Sequence, residues 1–173
     1  MFIFWLFSLI ILVHACPQRG CPDVTWQIFN RENYSWCMKT AISSIQQAEA
    51  AQTCENLYAN SKATGFQNAQ EVLTMIAQAR AANSGAHGRF YVGAERVENC
   101  IGQKLTASCT KLSSFRWTDG VTSGTAGFVW EGVQPNNWDT IQNFAYLDTE
   151  LKGLGDGNGT LTYPGVICGV KAV

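Results

Sequence analysis

Charge is scarce in this chain. Asp, Glu, Lys and Arg make up 14% of its 173 residues, and the formal net charge is -1, where an average soluble protein carries about 25%. That excludes a basic stripe able to track nucleic acid. No run of like charges exists to act as an interaction tail. Histidine is scarcer still, limited to His14 and His87. No Cys-x-x-Cys pair occurs either, so a zinc site has neither the donors nor the spacing it needs. Beyond the first residues no apolar run is long enough to cross a bilayer. There is no internal repeat, linker or low-complexity segment.

What is present begins with an apolar run from Phe2 to Val13, followed by His14 and Ala15. It is short for a membrane span and ends in a small residue, which predicts a cleaved signal peptide over 1–15 and a secreted, extracellular domain over 16–173. An uncleaved anchor and a lipoprotein at Ala15-Cys16 are the alternatives; the absence of Lys or Arg ahead of the run weakens the second. Seven cysteines in a secreted chain predict a disulfide framework with one left over, whose connectivity the sequence alone leaves open.

Trp26 to Phe29 and Tyr34 to Met38 read as two strands around a polar turn. In that turn Asn33-Tyr34-Ser35 is a glycosylation sequon, and an unmodified turn asparagine is the alternative. Two helices follow. Ser44 with Gln47 has capping-box spacing, and Ala48, Ala51, Leu57 and Tyr58 can share an apolar face. Asn68 with Glu71 caps the second, in which Val72, Leu73, Ile76 and Ala79 recur at helical spacing and Asn83-Ser84-Gly85 supplies a stop. Phe90 to Glu95, Ser114 to Trp117, Gly127 to Trp130, Phe144 to Leu147 and Gly165 to Val170 are short strand candidates. The glycine-rich stretch Lys152 to Pro164 reads as loop. Strands, two helices, then strands predict an α+β domain, with the helices segregated from an antiparallel sheet.

At this point the ordered motifs resemble a family. Cys21-Pro22 with Trp26 and then Cys37 is similar to the amino-terminal hairpin of long-form C-type lectin-like domains. Ala50 to Cys54 resembles their first-helix cysteine, and Phe90-Tyr91-Val92-Gly93-Ala94 their Trp-Ile-Gly-Leu strand. Trp117-Thr118-Asp119-Gly120, Trp130, Gln134-Pro135-Asn136 and Val166-Ile167-Cys168-Gly169 follow in the family's order. The match runs from Cys21 to Val173. The resemblance implies helices packed on antiparallel sheets with a long ligand loop, and disulfides Cys54–Cys168 and Cys21–Cys37. Cys100 and Cys109 then match each other, as in secreted single-domain invertebrate members. Cys16 remains, to be free, to be removed on cleavage, or to link a second chain as a dimer. The family's second core disulfide is missing as a pair, and Phe144 stands at one of its positions.

Sugar-binding members hold calcium through side chains of the long loop. Residue by residue, that set becomes Gln134, Asn136, Gln142 and Asp156, with Gly155 replacing a ligand and Pro135 implied to be cis. The set has one carboxylate, whereas calcium takes six to eight oxygens and binds more tightly as their charge grows. Calcium is thus the implied cofactor on a degenerate site. A second sequon, Asn158-Gly159-Thr160, lies two residues past Asp156. Trp138 joins the ligand-binding candidates as a ring to stack on a sugar or anchor a protein, or as a residue packed against the loop. Trp117 and Trp130 read as core.

The function this implies is a secreted, non-catalytic recognition module for carbohydrate or glycoconjugate. The alternative is a calcium-independent domain that binds a protein or other surface after losing sugar binding. Neither needs a nucleic-acid or membrane partner, and a role in innate immunity is fold-level analogy. An enzyme would need a nucleophile with a base, or paired carboxylates. His87 sits among turn glycines, Asp119 precedes Gly120 in a tight turn, and Asp148 with Glu150 has no third partner.

Overall fold

The computed structural model describes residues 20–173. The signal-peptide expectation and Cys16 lie outside the described residues.

The chain opens as a hairpin of β1 (Gln27–Arg31) and β2 (Tyr34–Ile45) around a turn that exposes Asn33. Next come α1 (Ala50–Leu57), β3 (Lys62–Ala63) and α2 (Ala69–Ala82), then β4 (Arg89–Arg96), β5 (Phe115–Trp117), β6 (Phe144–Asp148), β7 (Gly153–Gly157) and β8 (Tyr163–Lys171). The strands form a sheet of order β1-β2-β8-β4-β6-β7, with β3 on β8 and β5 on β4. The expected antiparallel arrangement needs one correction. β4 and β8 run parallel, meeting at Tyr91 and Val166, so the sheet is mixed. The two strands close the domain across its middle.

Strand alternation gives the sheet two buried faces. Phe90, Val92 and Ile167 join Met38, Phe66, Leu147 and the α2 residues Val72, Met75 and Ile76 in one core cluster. Tyr91, Val166 and Cys168 join Tyr146, Tyr163 and the α1 residues Ala50 and Cys54 in the other. The helices therefore cover opposite faces of the sheet, packed on it as the resemblance implies. Cys54–Cys168 ties α1 to β8 across a sequence separation of 114, and Cys21–Cys37 and Cys100–Cys109 complete the pairing that the resemblance implies.

Both helices differ in detail from expectation. Ser44 belongs to β2, and the capping carboxylate is Glu49, which accepts the Gln46 N–H at 2.8 Å. Ala48, Ala51 and Tyr58 are exposed, and Ala50 and Cys54 form the buried stripe of α1. In α2 the Asn68 cap holds, its side chain accepting the Glu71 N–H at 3.0 Å. Leu73 faces solvent at 51% exposure, and Met75 takes the core position. Buried Glu71 pairs with Arg31 at 2.7 Å, tying α2 to the end of β1.

Two other expectations fail. Lys152 to Pro164 contains a buried strand, β7, paired with β6. Gly127 to Trp130 is not a strand; Trp130 makes only an isolated parallel bridge to Leu154. Glycine weakens local strand preference but permits close approach. A Cβ at Gly155 would lie 2.4 Å from the Tyr146 ring, so an aromatic of β6 occupies the space a β7 side chain would need. Gly93 is similarly required, because its Cβ would lie 2.1 Å from the Ala63 carbonyl where β3 crosses β4.

Candidate functional site: the long loop

The segment between β5 and β6 rises over the sheet on an aromatic stack. Phe128 lies parallel to Trp117, ring centroids 3.9 Å apart, and to Trp130 at 5.5 Å. The indole of Trp130 donates to the Lys111 carbonyl at 2.7 Å and that of Trp117 to Gly124 at 3.1 Å. Both rings pack against the core cluster and do not form a ligand platform. Below them, Asp119 caps its turn. It accepts the N–H of Val121 and Thr122 and reaches across to the Gly65 N–H at 2.9 Å. Burial pushes its carboxyl up, but hydrogen bonds from Thr122, Gly65 and Val121 outweigh that and hold it below the usual carboxylate range.

The tip of the loop follows the Gln134–Pro135 bond, which is cis. Asn137 is its buried peg, 1% exposed. Its amide donates to the Gln103 carbonyl at 2.7 Å and accepts the Gln142 N–H at 2.9 Å. This anchors the tip to the excursion stapled by Cys100–Cys109. Asn137, Asp139 and Thr140 all have positive φ, at 46°, 54° and 60°. Such conformations cost non-glycine residues of order 1–3 kcal/mol each and persist where surrounding contacts over-determine them. Their result is to hold Trp138 outward, 66% exposed, with Val133 and Ile141 also exposed nearby in the chain.

The expected ligand set is brought together, but its oxygens are spent internally. The Gln134 side-chain oxygen accepts the Asn136 N–H at 3.1 Å. Those of Asn136 and Gln142 both accept the Trp138 N–H, at 3.0 and 2.6 Å. Asp156, on β7, accepts the Asn136 N–H at 2.9 Å and the Asn137 N–H at 2.8 Å. Its remaining demand is met by Arg96, whose guanidinium lies 2.5 Å away, the two side chains 0% and 1% exposed respectively. Burial dominates both groups, pushing the Asp156 carboxyl up and the Arg96 guanidinium down. These residues do not fit a calcium ion. The single carboxylate is already neutralised by a cation, and the amide oxygens face backbone donors. Among the described residues no group of three or more His, Cys, Asp or Glu could hold a metal.

The remaining candidates fall elsewhere. Asn158 is half-buried, its side chain accepting the Thr160 N–H at 3.1 Å. Its backbone carbonyl lies against the Tyr91 hydroxyl, in a turn apart from the loop's hydrogen bonds. His87 is exposed in the connection between α2 and β4. Asp148 caps a turn through the N–H of Glu150 and Leu151 and pairs with Arg89 at 3.1 Å. Phe144 is half-buried at the edge of the α1-side cluster. The sequence reading missed Arg96 and Asn137. The one signal for Arg96 was its place as a cation just past the apolar stretch Phe90 to Ala94 of β4.

The family model for C-type lectin domain-containing protein 141/158 matches residues 25–149. The comparison with curated proteins returned no match. Among solved structures, the C-type lectin CEL-I from Cucumaria echinata is 19% identical, with 86% of this chain and 96% of that one covered and a TM-score of 0.64. The cow C-type carbohydrate-recognition domain of CD23 is 14% identical, covering 89% and 98%, with a TM-score of 0.64. A calcium-independent type II antifreeze protein is also 14% identical, covering 89% and 97%, with a TM-score of 0.60. At these identities the structures speak for the fold alone. The family match spans most of the chain, and this chain therefore belongs to the family of C-type lectin domain-containing protein 141/158, as a C-type lectin-like domain.

Proposed function

We propose that this chain is a secreted, non-catalytic recognition domain that binds a carbohydrate or glycoconjugate surface through the Trp138 tip, without a resident calcium ion. The observation that carries the reading is Trp138 itself. A large ring is 66% exposed next to Asn137, which is buried and hydrogen-bonded at both ends of its amide, in a loop where Asn137, Asp139 and Thr140 all have positive φ. Isolated exposed apolar residues are ordinary, but an indole held outward by a rigid loop is preorganised for contact. Exposed Asp139 and Thr140 beside it offer polar groups to sugar hydroxyls. Loss of calcium coordination does not preclude this mode, because ring stacking needs no metal. Among the structural relatives, the cow domain was solved with an oligosaccharide, and one antifreeze protein is described as calcium-independent.

A second reading, binding to a protein surface, is favoured by the exposure of Val133 at 74% and Ile141 at 50%. A non-catalytic role suits the carboxylates that the sequence offered. Asp119 and Asp148 are committed to backbone donors, and His87 is exposed in the connection between α2 and β4.

The test is retention on immobilised glycans and microbial surface polysaccharides in excess chelator, comparing the wild type with Trp138→Ala. Retention in chelator that disappears in the variant supports the reading. Retention only with calcium overturns it. Retention unaffected by Trp138→Ala moves the site elsewhere, and capture of a protein partner alone selects the second reading.

A further inference from the structure

We infer that Arg96 acts as the loop's resident cation, a positioning residue that does for the recognition segment what a bound metal ion would do. The inference rests on the calcium-independent reading above and explains how that loop keeps its shape. Arg96 ends β4, where its own N–H donates to the Asn143 carbonyl at 2.8 Å. Its guanidinium then grips the loop at two places. One nitrogen meets Asp156 at 2.5 Å, and Nε donates to the Gln142 carbonyl at 2.9 Å. Asp156 passes the grip on, accepting the N–H of Asn136 and Asn137. A single buried charge therefore connects the entry of the tip, at Asn136 and Asn137, to its exit at Gln142.

The chemistry of the group suits the task. A guanidinium offers donors in a fixed fork and stays charged when buried, where an ammonium loses its proton more readily. Here its plane also rests 4.6 Å from the Phe115 ring centroid, at the foot of the aromatic stack. A divalent ion would have to displace it to reach Asp156. The other buried pair, Arg31–Glu71, is a natural control. It joins β1 to α2, and Arg31 also meets Thr122 and Gly65, but it donates to no group of the 134–142 tip.

The experiment is residue-resolved amide exchange on Arg96→Met and Arg31→Met, each in chelator. Arg96→Met is expected to lower protection at Asn136 and Asn137 by about tenfold or more beyond any change at Met38 and Ile167, as loss of a charge-assisted contact would. Arg31→Met is expected to change protection without singling out those two amides. If Arg96→Met leaves the two amides as protected as the core, the inference is overturned while calcium independence stands. If millimolar calcium raises their protection in the wild type, both readings are overturned, because a metal then holds the loop. Should Arg96→Met not fold, the neutral pair Arg96→Met with Asp156→Asn decides. If the pair folds, lower protection at Asn136 and Asn137 than at Met38 and Ile167 supports the inference, and protection equal to the core overturns it. Failure of the pair overturns it and assigns Arg96 to packing on Phe115.

Discussion

Replacing Asp119 by Asn tests the account of the turn beneath the loop. The wild-type carboxylate accepts two N–H groups of its own turn, from Val121 and Thr122, through Oδ1. Through Oδ2 it accepts the Gly65 N–H at 2.9 Å, the Thr64 hydroxyl at 3.0 Å and the Thr122 hydroxyl at 2.6 Å. An amide keeps one oxygen and places an NH2 group against the other donors. The hydroxyls can rotate, but the buried Gly65 N–H cannot, and a stranded donor of that kind costs about 1–3 kcal/mol. The lost bond to a charged acceptor was itself worth about 1.5–3 kcal/mol; the two figures overlap, and about 3 kcal/mol is the expected destabilisation. For a domain of this size that lowers Tm by roughly 6–12 °C.

The pH dependence gives an independent check. Asp119 titrates below its ordinary range when folded, so its contribution is fully present above the unfolded carboxylate value of about 4. That contribution is lost as pH falls through the folded value. Calorimetric melting of wild type and Asp119→Asn should therefore show a constant gap from about pH 5 to 8 that closes below about pH 4. A gap under about 1 kcal/mol at neutral pH, or one that persists undiminished in strong acid, refutes the reasoning.

Three further outcomes are expected. Cys54→Ser and Cys168→Ser should each cost about 4–5 kcal/mol in the chain-entropy account of a loop this long, read as lost secretion and a lowered melting temperature; unchanged melting refutes this. Wild-type melting should be the same in millimolar calcium and in excess chelator, whereas an ion at about a hundred times its dissociation constant would add about 2.7 kcal/mol. Gly155→Ala should destabilise by about 1–3 kcal/mol, because the new methyl meets the Tyr146 ring, and equal stability of the variant would show that β7 and β6 are not packed as described.

Much of the framework was legible because its signals are local. The Asn68 cap sits one residue before its helix, and β4 and β8 read as strands from their own apolar runs. β7 was not legible. Gly153, Gly155 and Gly157 look like a loop by composition, and only their neighbours show why the chain needs them: Val129 and Glu131 crowd Gly153, the Tyr146 ring Gly155, and the Tyr163 hydroxyl Gly157. Leu73 was misplaced because an apolar residue beside Val72 reads as part of the same stripe, while the neighbouring sheet covers only the face of Val72, Met75, Ile76 and Ala79.

The same division runs through the candidate site. The family resemblance, carried over residue by residue, grouped Gln134, Asn136 and Gln142 of the long loop with Asp156, a set with one carboxylate and too little charge for a strong calcium site. The sequence also marked Trp138 as the ring with two possible fates. Only the tertiary structure decided that Trp138 faces outward and that Asp156 is already paired. The reason is physical. A donor set can be counted along a chain, but whether its oxygens are free depends on what lies across from them. Arg96 is 60 residues from Asp156 in sequence, and the order β4-β6-β7 in the sheet brings a cation to a carboxylate that the family's spacing would have offered to a metal.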